Sequence, residues 1–159
     1  MSSRTLNFTD HRRELDTNRY VYAVVSRRSR GLSIGINLNP DKVCNFACPY
    51  CQVDRRIPGG TRSVDTERLG LELADLLSHV RNGTLWERAP FDTAAPEMRV
   101  VRDVAIAGDG EPTACPQFAE SIETLATVCS DAGIGFEDRD GIRFNLLTNA
   151  TLFHRPRVR

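Results

Sequence analysis

Cys44-Asn45-Phe46-Ala47-Cys48-Pro49-Tyr50-Cys51 places three thiols within eight residues, at the spacing CxxxCxxC. Thiols that close along a chain cannot each point into a separate core pocket. They converge on a shared partner, and a metal centre is the chemistry three thiolates serve best. The segment just before them, Leu32–Leu38, alternates apolar with small or polar residues and predicts a strand. The fold must therefore end a strand where the thiols begin.

Cys115 and Cys129 bring the cysteine count to five, an odd number. The N-terminus, MSSRTLNFTDHRRELD, lacks the apolar core of a secretory signal. The twin arginines Arg12-Arg13 have no apolar run behind them and read as a solvated face. No segment approaches the ~18 apolar residues that span a bilayer. Clustered cysteines in an unexported chain favour metal binding over a disulfide framework, so a cytoplasmic, reducing location without membrane attachment is expected. With 159 residues, 40% of them hydrophobic and 26% charged, the chain suits one ordinary domain with its own core.

The net charge is zero, but residues 1–62 carry ten Arg and one Lys against five acidic residues, a net +6, balanced by −6 over residues 63–159. A basic front half permits a nucleic acid or another anion as partner. No aromatic residues interleave with these arginines as in single-strand binders, so scattered surface arginines are the simpler reading.

The chain order gives the architecture. Residues 1–19 read as a polar extension, with a short helix around Asp10–Asp16, and residues 20–159 as the domain. Tyr20–Val25 and Leu32–Leu38 predict two strands. Asp65 is a helix N-cap, and Leu69, Leu73, Leu76, Leu77 and Val80 trace one helical face that ends near Asn82-Gly83. His79, in the last turn, reads as a surface or cap residue. Residues 84–99 read as a connecting loop. Val100–Ala107 is the next strand, ending in Gly108-Asp109-Gly110-Glu111-Pro112-Thr113. Pro116 suits a first helical turn, Phe118, Ile122, Leu125, Ala126 and Cys129 form a buried face, and Gly133 stops the helix. Ile142–Leu147 is a further strand, ending in Thr148-Asn149-Ala150-Thr151. Strand and helix alternate, which predicts an α/β fold with parallel strands and crossover helices. All three unusual loops fall at carboxyl ends of strands, where such sheets collect functional groups.

The residues alone leave several chemistries open. Three local thiolates can join a zinc site or an iron–sulfur cluster. Zinc needs a fourth protein ligand, and His11, His79, His154 and Cys115 are candidates without a telling spacing. A cluster on three cysteines instead leaves one iron open to an outside ligand. The Gly-Asp-Gly-Glu segment could be a plain strand-to-helix turn, and Thr148-Asn149 a simple turn. Phe46 reads as packing, Cys129 as core, and Cys115 as an unreactive thiol at a helix start.

The pattern resembles the radical SAM superfamily. Cys44, Cys48 and Cys51, with Tyr50 before the last cysteine, match its cluster motif. Gly108-Asp109-Gly110-Glu111-Pro112 is similar to its Gly-Gly-Glu-Pro loop, with Asp109 inserted between the glycines. Thr148-Asn149-Ala150 is similar to its Thr-Asn-Gly turn, with Ala150 for glycine. The likeness covers roughly residues 32–151. It implies a 4Fe-4S cluster on Cys44, Cys48 and Cys51, with S-adenosylmethionine on the open iron. An electron from the cluster would cleave the sulfonium to methionine and a 5′-deoxyadenosyl radical, which takes hydrogen from a substrate. Tyr50, Gly108, Gly110, Glu111 and Asn149 would line the S-adenosylmethionine site: the glycines for close backbone approach, Glu111 for charge or for holding the loop, and Tyr50 beside the adenine. A low-potential donor of flavodoxin or ferredoxin type is the implied partner.

A full (β/α) barrel of eight units needs ~250 residues. The expectation here is a partial (β/α) barrel, about three βα units preceded by a β strand, as in a truncated radical SAM oxidoreductase. The contrasting expectations are a non-catalytic iron–sulfur or zinc module and an inactive fragment. The substrate is not legible.

Overall fold

A computed structural model describes residues 17–135 and 141–158. The short helix expected around Asp10–Asp16, with His11 and the twin arginines, lies outside the described residues. Four strands form one mixed sheet in the order β1-β2-β3-β4: β1 (Val21–Ser26), β2 (Gly31–Ile36), β3 (Val101–Ile106) and β4 (Arg143–Leu146). β1 and β2 make an antiparallel hairpin, whereas β2, β3 and β4 run parallel. The parallel strands are joined through α1 (Thr66–Arg81) and α2 (Phe118–Asp131). The fold is thus α/β, with two complete βα units followed by a lone β4.

The helices form where capping and periodicity agree. The Asp65 side chain accepts the Arg68 backbone N–H at 3.0 Å, Glu67 sits in the first turn, and His79 and Arg81 sit in the last, where a helix dipole favours them. Leu69, Leu73 and Leu76 are fully buried. α2 closes as a Schellman motif: Ile134 N–H donates to Cys129 O, Gly133 N–H donates to Ser130 O, and Gly133 takes φ +77°. Its start differs from expectation. Pro112 opens a short 3-10 turn, Pro112–Ala114, and α2 begins only at Phe118, after Pro116.

Both helices cover one face of the sheet. Leu32, Ile34 and Ile36 of β2 and Val104 and Ile106 of β3 meet the helical leucines, Phe118 and Cys129 in one core. By the period-two alternation of strands, Ser33, Gly35, Asp103, Ala105 and Asn145 fall on the other face. On β2, β3 and β4 that face is small or polar, and β1 adds Tyr22 and Val24 to it. Ser33 Oγ donates to the buried Asp103 carboxylate, and Tyr22 lies over Gly35 with its hydroxyl on Ala107 O.

Residues 84–99 are more ordered than the expected loop. They form three 3-10 turns, Thr84–Glu87, Phe91–Thr93 and Pro96–Met98. Leu85 and Phe91 are buried there, and that burial outweighs the lack of a periodic signal. No helix among the described residues is long and apolar enough to cross a membrane.

The chain before β1 is tied down by Glu72, which is only 7% exposed. Its Oε1 accepts Arg19 N–H and Arg68 Nε–H, and its Oε2 accepts Tyr20 and Val21 N–H. Glu72→Gln turns one acceptor into a donor facing donors. Leaving two of these groups unpaired is expected to lower stability by about 2–3 kcal/mol in urea unfolding. An unchanged midpoint would contradict this role.

Candidate metal centre

The cysteine loop leaves the carboxyl end of β2 and is closed at its base. Lys42 takes φ +60°, and its Nζ donates to Asp54 O at 3.0 Å and Ile57 O at 3.2 Å. Gly60 N–H donates to Pro40 O at 2.6 Å. Between these pins the thiols sit toward solvent: Cys44 and Cys48 are half-buried and Cys51 is exposed. Cys51 N–H donates to Cys48 O at 3.0 Å, a tight turn around Tyr50, which is 82% exposed. Phe46, expected to pack, is 49% exposed because the loop stands off the sheet.

The loop after β3 lies directly against the start of the cysteine loop. A Cβ on Gly108 would run into Asn37 Oδ1, and one on Gly110 into Val43 O and Asn39. Both glycines are thus required by loop-on-loop contact. Asp109 has a local reason as well. Its N–H donates to Asn37 Oδ1, and its carboxylate accepts Asn37 Nδ2–H at 3.0 Å, so Asp109 pairs with the end of β2.

Glu111 joins β3 to β4. It is 3% exposed. Its Oε1 accepts Thr113 N–H at 3.1 Å, Thr113 Oγ1–H at 2.5 Å and Thr148 Oγ1–H at 2.6 Å, and its Oε2 accepts Asn149 N–H at 2.8 Å. Burial pushes this carboxyl up, but the bonds from Asn149, Thr113 and Thr148 outweigh it, and the net shift is down. Of the two roles expected for Glu111, holding the loop is the one its bonds perform.

Asn149 completes the circuit. Its Nδ2 donates to Asn45 Oδ1 at 2.9 Å, inside the cysteine motif, and its Oδ1 accepts Thr151 N–H and Oγ1–H. Asn45 Nδ2 donates back to Thr151 Oγ1 at 2.9 Å. The three loops singled out in the sequence therefore meet at one end of the parallel strands. Ala150, where a glycine would be at ease, takes φ +61°. Ala150→Gly is expected to raise stability by up to ~1 kcal/mol, because the left-handed conformation is costly for alanine. A thermal melt shifted downward would contradict that.

Two residues absent from the sequence reading matter here. Asn37 is fully buried and pairs with Asp109. Arg55 donates Nη1–H to Cys51 Sγ at 3.3 Å and Nη2–H to Asp109 O at 3.3 Å. A hydrogen bond from the Val53 backbone, and then Arg55, hold the Cys51 thiol below its usual range. The nearby Cys48 pushes the Tyr50 hydroxyl up, first by hydrogen bonding and then by charge. Only proximity to the motif could have flagged Arg55, since it otherwise counts as one of ten arginines in a basic half.

The three loop thiols are donors of the kind that bind zinc or an iron–sulfur cluster. Five cysteines are free. Cys115 and Cys129 are 2% and 0% exposed, and burial pushes both thiols up, Cys129 to about 11, so they stay protonated in the core. His79 bonds Thr84 Oγ1 through Nδ1 at 2.6 Å, at the far end of α1. Cys44, Cys48 and Cys51 remain as soft ligands on one solvent-facing loop. Among the described residues, no three or more Cys, His, Asp or Glu side chains are already arranged to hold a metal ion. A cavity of about 330 Å3 beside Cys44 is lined by Lys42, Arg55 and Ile57. A larger one of about 610 Å3, lined by Val80, Val101, Val128 and Ile142, holds none of the motif residues.

No protein-family profile matches the chain, and no solved structure matches it. Two curated proteins are similar to it. A UPF0026 protein of Helicobacter pylori strain J99 is 25% identical over 139 residues, and a UPF0026 protein of strain 26695 is 24% identical over 139 residues. Each match covers 87% of this chain and 37% of the relative, so the chain spans little more than a third of the length of the curated proteins it resembles.

Proposed function

We propose that this chain is the cluster-bearing part of a radical SAM enzyme, with Cys44, Cys48 and Cys51 holding a 4Fe-4S cluster and S-adenosylmethionine bound at its open iron. One observation carries the reading. The cysteine loop, the Gly108–Pro112 loop and the Thr148–Thr151 turn are joined by Glu111, Asn45 and Asn149 at the carboxyl ends of parallel strands. The helices cover one sheet face, and small or polar residues of β2, β3 and β4 lie on the other, as suits part of a (β/α) barrel whose inner face meets ligands. The free thiols accord with a reducing cytosol.

A 4Fe-4S cluster held by Cys44, Cys48 and Cys51 would supply one-electron reduction, with a flavodoxin- or ferredoxin-type donor and with reductive cleavage of S-adenosylmethionine as the source of a hydrogen-abstracting radical. The chain's residues do the positioning. Gly108 and Gly110 let the Asp109–Glu111 backbone lie close beside the cysteine loop. Glu111 fixes that backbone relative to Asn149. Tyr50 offers an exposed aromatic face next to the last cysteine, suited to an adenine. The thiols need gathering, so metal binding and loop ordering are coupled.

The test is anaerobic reconstitution with iron and sulfide, followed by dithionite and S-adenosylmethionine. Release of methionine and 5′-deoxyadenosine by the iron-loaded chain is the expected result. Tight zinc binding without iron uptake would replace this reading with that of a non-catalytic metal module.

A further inference from the structure

Arg55 has no place in the reading above, yet its guanidinium makes two contacts that no other described side chain combines. Nη1 reaches Cys51 Sγ and Nη2 reaches the Asp109 carbonyl, both at 3.3 Å. One side chain therefore bridges a sulfur of the cysteine loop and the backbone between the two glycines. The neighbouring Lys42 is engaged with the carbonyls of Asp54 and Ile57 at the loop base. Arg56 turns away to the Asp54 carboxylate, with Nε on Oδ1 at 2.9 Å. The forked donors of a guanidinium fit two acceptors in different directions, which a lysine cannot copy.

We propose that Arg55 is a positioning residue for the metal centre: it holds the Cys51 sulfur against the Asp109 backbone and raises the reduction potential of the cluster bound there. This rests on the cluster reading above. Reduction adds one negative charge to the cluster, supplied by an external reductant. A cation and an N–H donor at a ligand sulfur stabilise the reduced form more than the oxidised one. Hydrogen bonds to the sulfurs and local charge are among the protein's main levers on such potentials. The site faces solvent, so the charge is partly screened and the hydrogen bond matters as much as the Coulomb attraction.

The experiment is an EPR-monitored redox titration of the reconstituted chain and of its Arg55→Gln and Arg55→Lys variants, with iron content measured alongside. Arg55→Gln is expected to lower the midpoint by about 59 mV or more, equal to a tenfold smaller reduced-to-oxidised ratio at fixed potential for one electron. Arg55→Lys, which keeps the charge, is expected to recover part of that fall. Equal midpoints in the parent and Arg55→Gln overturn the proposal. So does a fall that Arg55→Lys does not recover at all, since that reports a disturbed loop. Should Arg55→Gln take up no iron, Arg55→Lys decides: a loaded cluster with a lowered midpoint supports the assignment, and a parental midpoint or an unloaded chain overturns it. If the parent itself takes up no iron, the cluster reading fails, and the role of Arg55 falls with it.

Discussion

Glu111→Ala is expected to lower stability by about 3 kcal/mol, because one buried and one partly buried backbone N–H group and two hydroxyls lose their acceptor. That is a large share of the ~5–15 kcal/mol that holds an ordinary domain together. The loss should appear as a lower urea midpoint with little change in slope. Glu111→Gln keeps the shape and one acceptor oxygen, and should lie between parent and alanine variant. The effect has a pH signature. The folded carboxyl titrates below its unfolded value of about 4.3, so its contribution is fully present above that value. It is lost as pH falls through the folded value. Between neutrality and pH 5 the gap between parent and Glu111→Gln should stay constant, and it should narrow in stronger acid. A Glu111→Ala chain as stable as the parent would show that the β3 and β4 loops are held by something else.

Replacing Cys44, Cys48 or Cys51 singly by alanine is expected to reduce iron uptake to background and abolish S-adenosylmethionine cleavage. In the proposed centre each would supply one of three thiolates, and a cluster left with two protein ligands would not be retained. Cys115→Ala and Cys129→Ala provide the contrast. Both thiols are buried in the core, so these variants should lose some stability, about 1 kcal/mol for a small core truncation, and still load iron. Iron content by colorimetric assay, with a melt for each variant, separates the groups. Equal loading in all five variants would show that the motif is not the ligand set. Cys51 is exposed, Cys44 and Cys48 are half-buried and the other two are buried, so alkylation under native conditions should label the motif thiols before Cys115 or Cys129.

Much of this arrangement was legible in the residues, for identifiable reasons. α1 was readable to within a residue because Asp65 caps it, Leu69, Leu73, Leu76 and Leu77 repeat at helical spacing, and Gly83 follows its end. β2 and β3 were readable from period-two alternation and apolar content. The meeting of three loops followed from topology, since parallel strands put their carboxyl ends together. What stayed hidden was pairing between distant positions. Nothing local in Asn37 announces Asp109, seventy-two residues on. Asn45 and Asn149 bond across 104 residues, and an asparagine in a loop reads as turn chemistry in any sequence. Arg55 was lost among other arginines because charge counting cannot tell a solvated guanidinium from one placed on a sulfur. Residues 84–99 were read as loop because two prolines and no period mask Leu85 and Phe91, which are held by burial rather than by a repeat. Beside the close backbone approach expected of Gly108 and Gly110, a Cβ at either position would meet Asn37, Asn39 or Val43.

The most direct measurement is the EPR spectrum of the anaerobically reconstituted, dithionite-reduced chain, recorded with and without S-adenosylmethionine. A cluster on Cys44, Cys48 and Cys51 with one open iron gives about four irons per chain and a reduced signal that changes when S-adenosylmethionine binds that iron. A chain that takes up no iron, or a reduced signal that S-adenosylmethionine leaves unaltered, would contradict it.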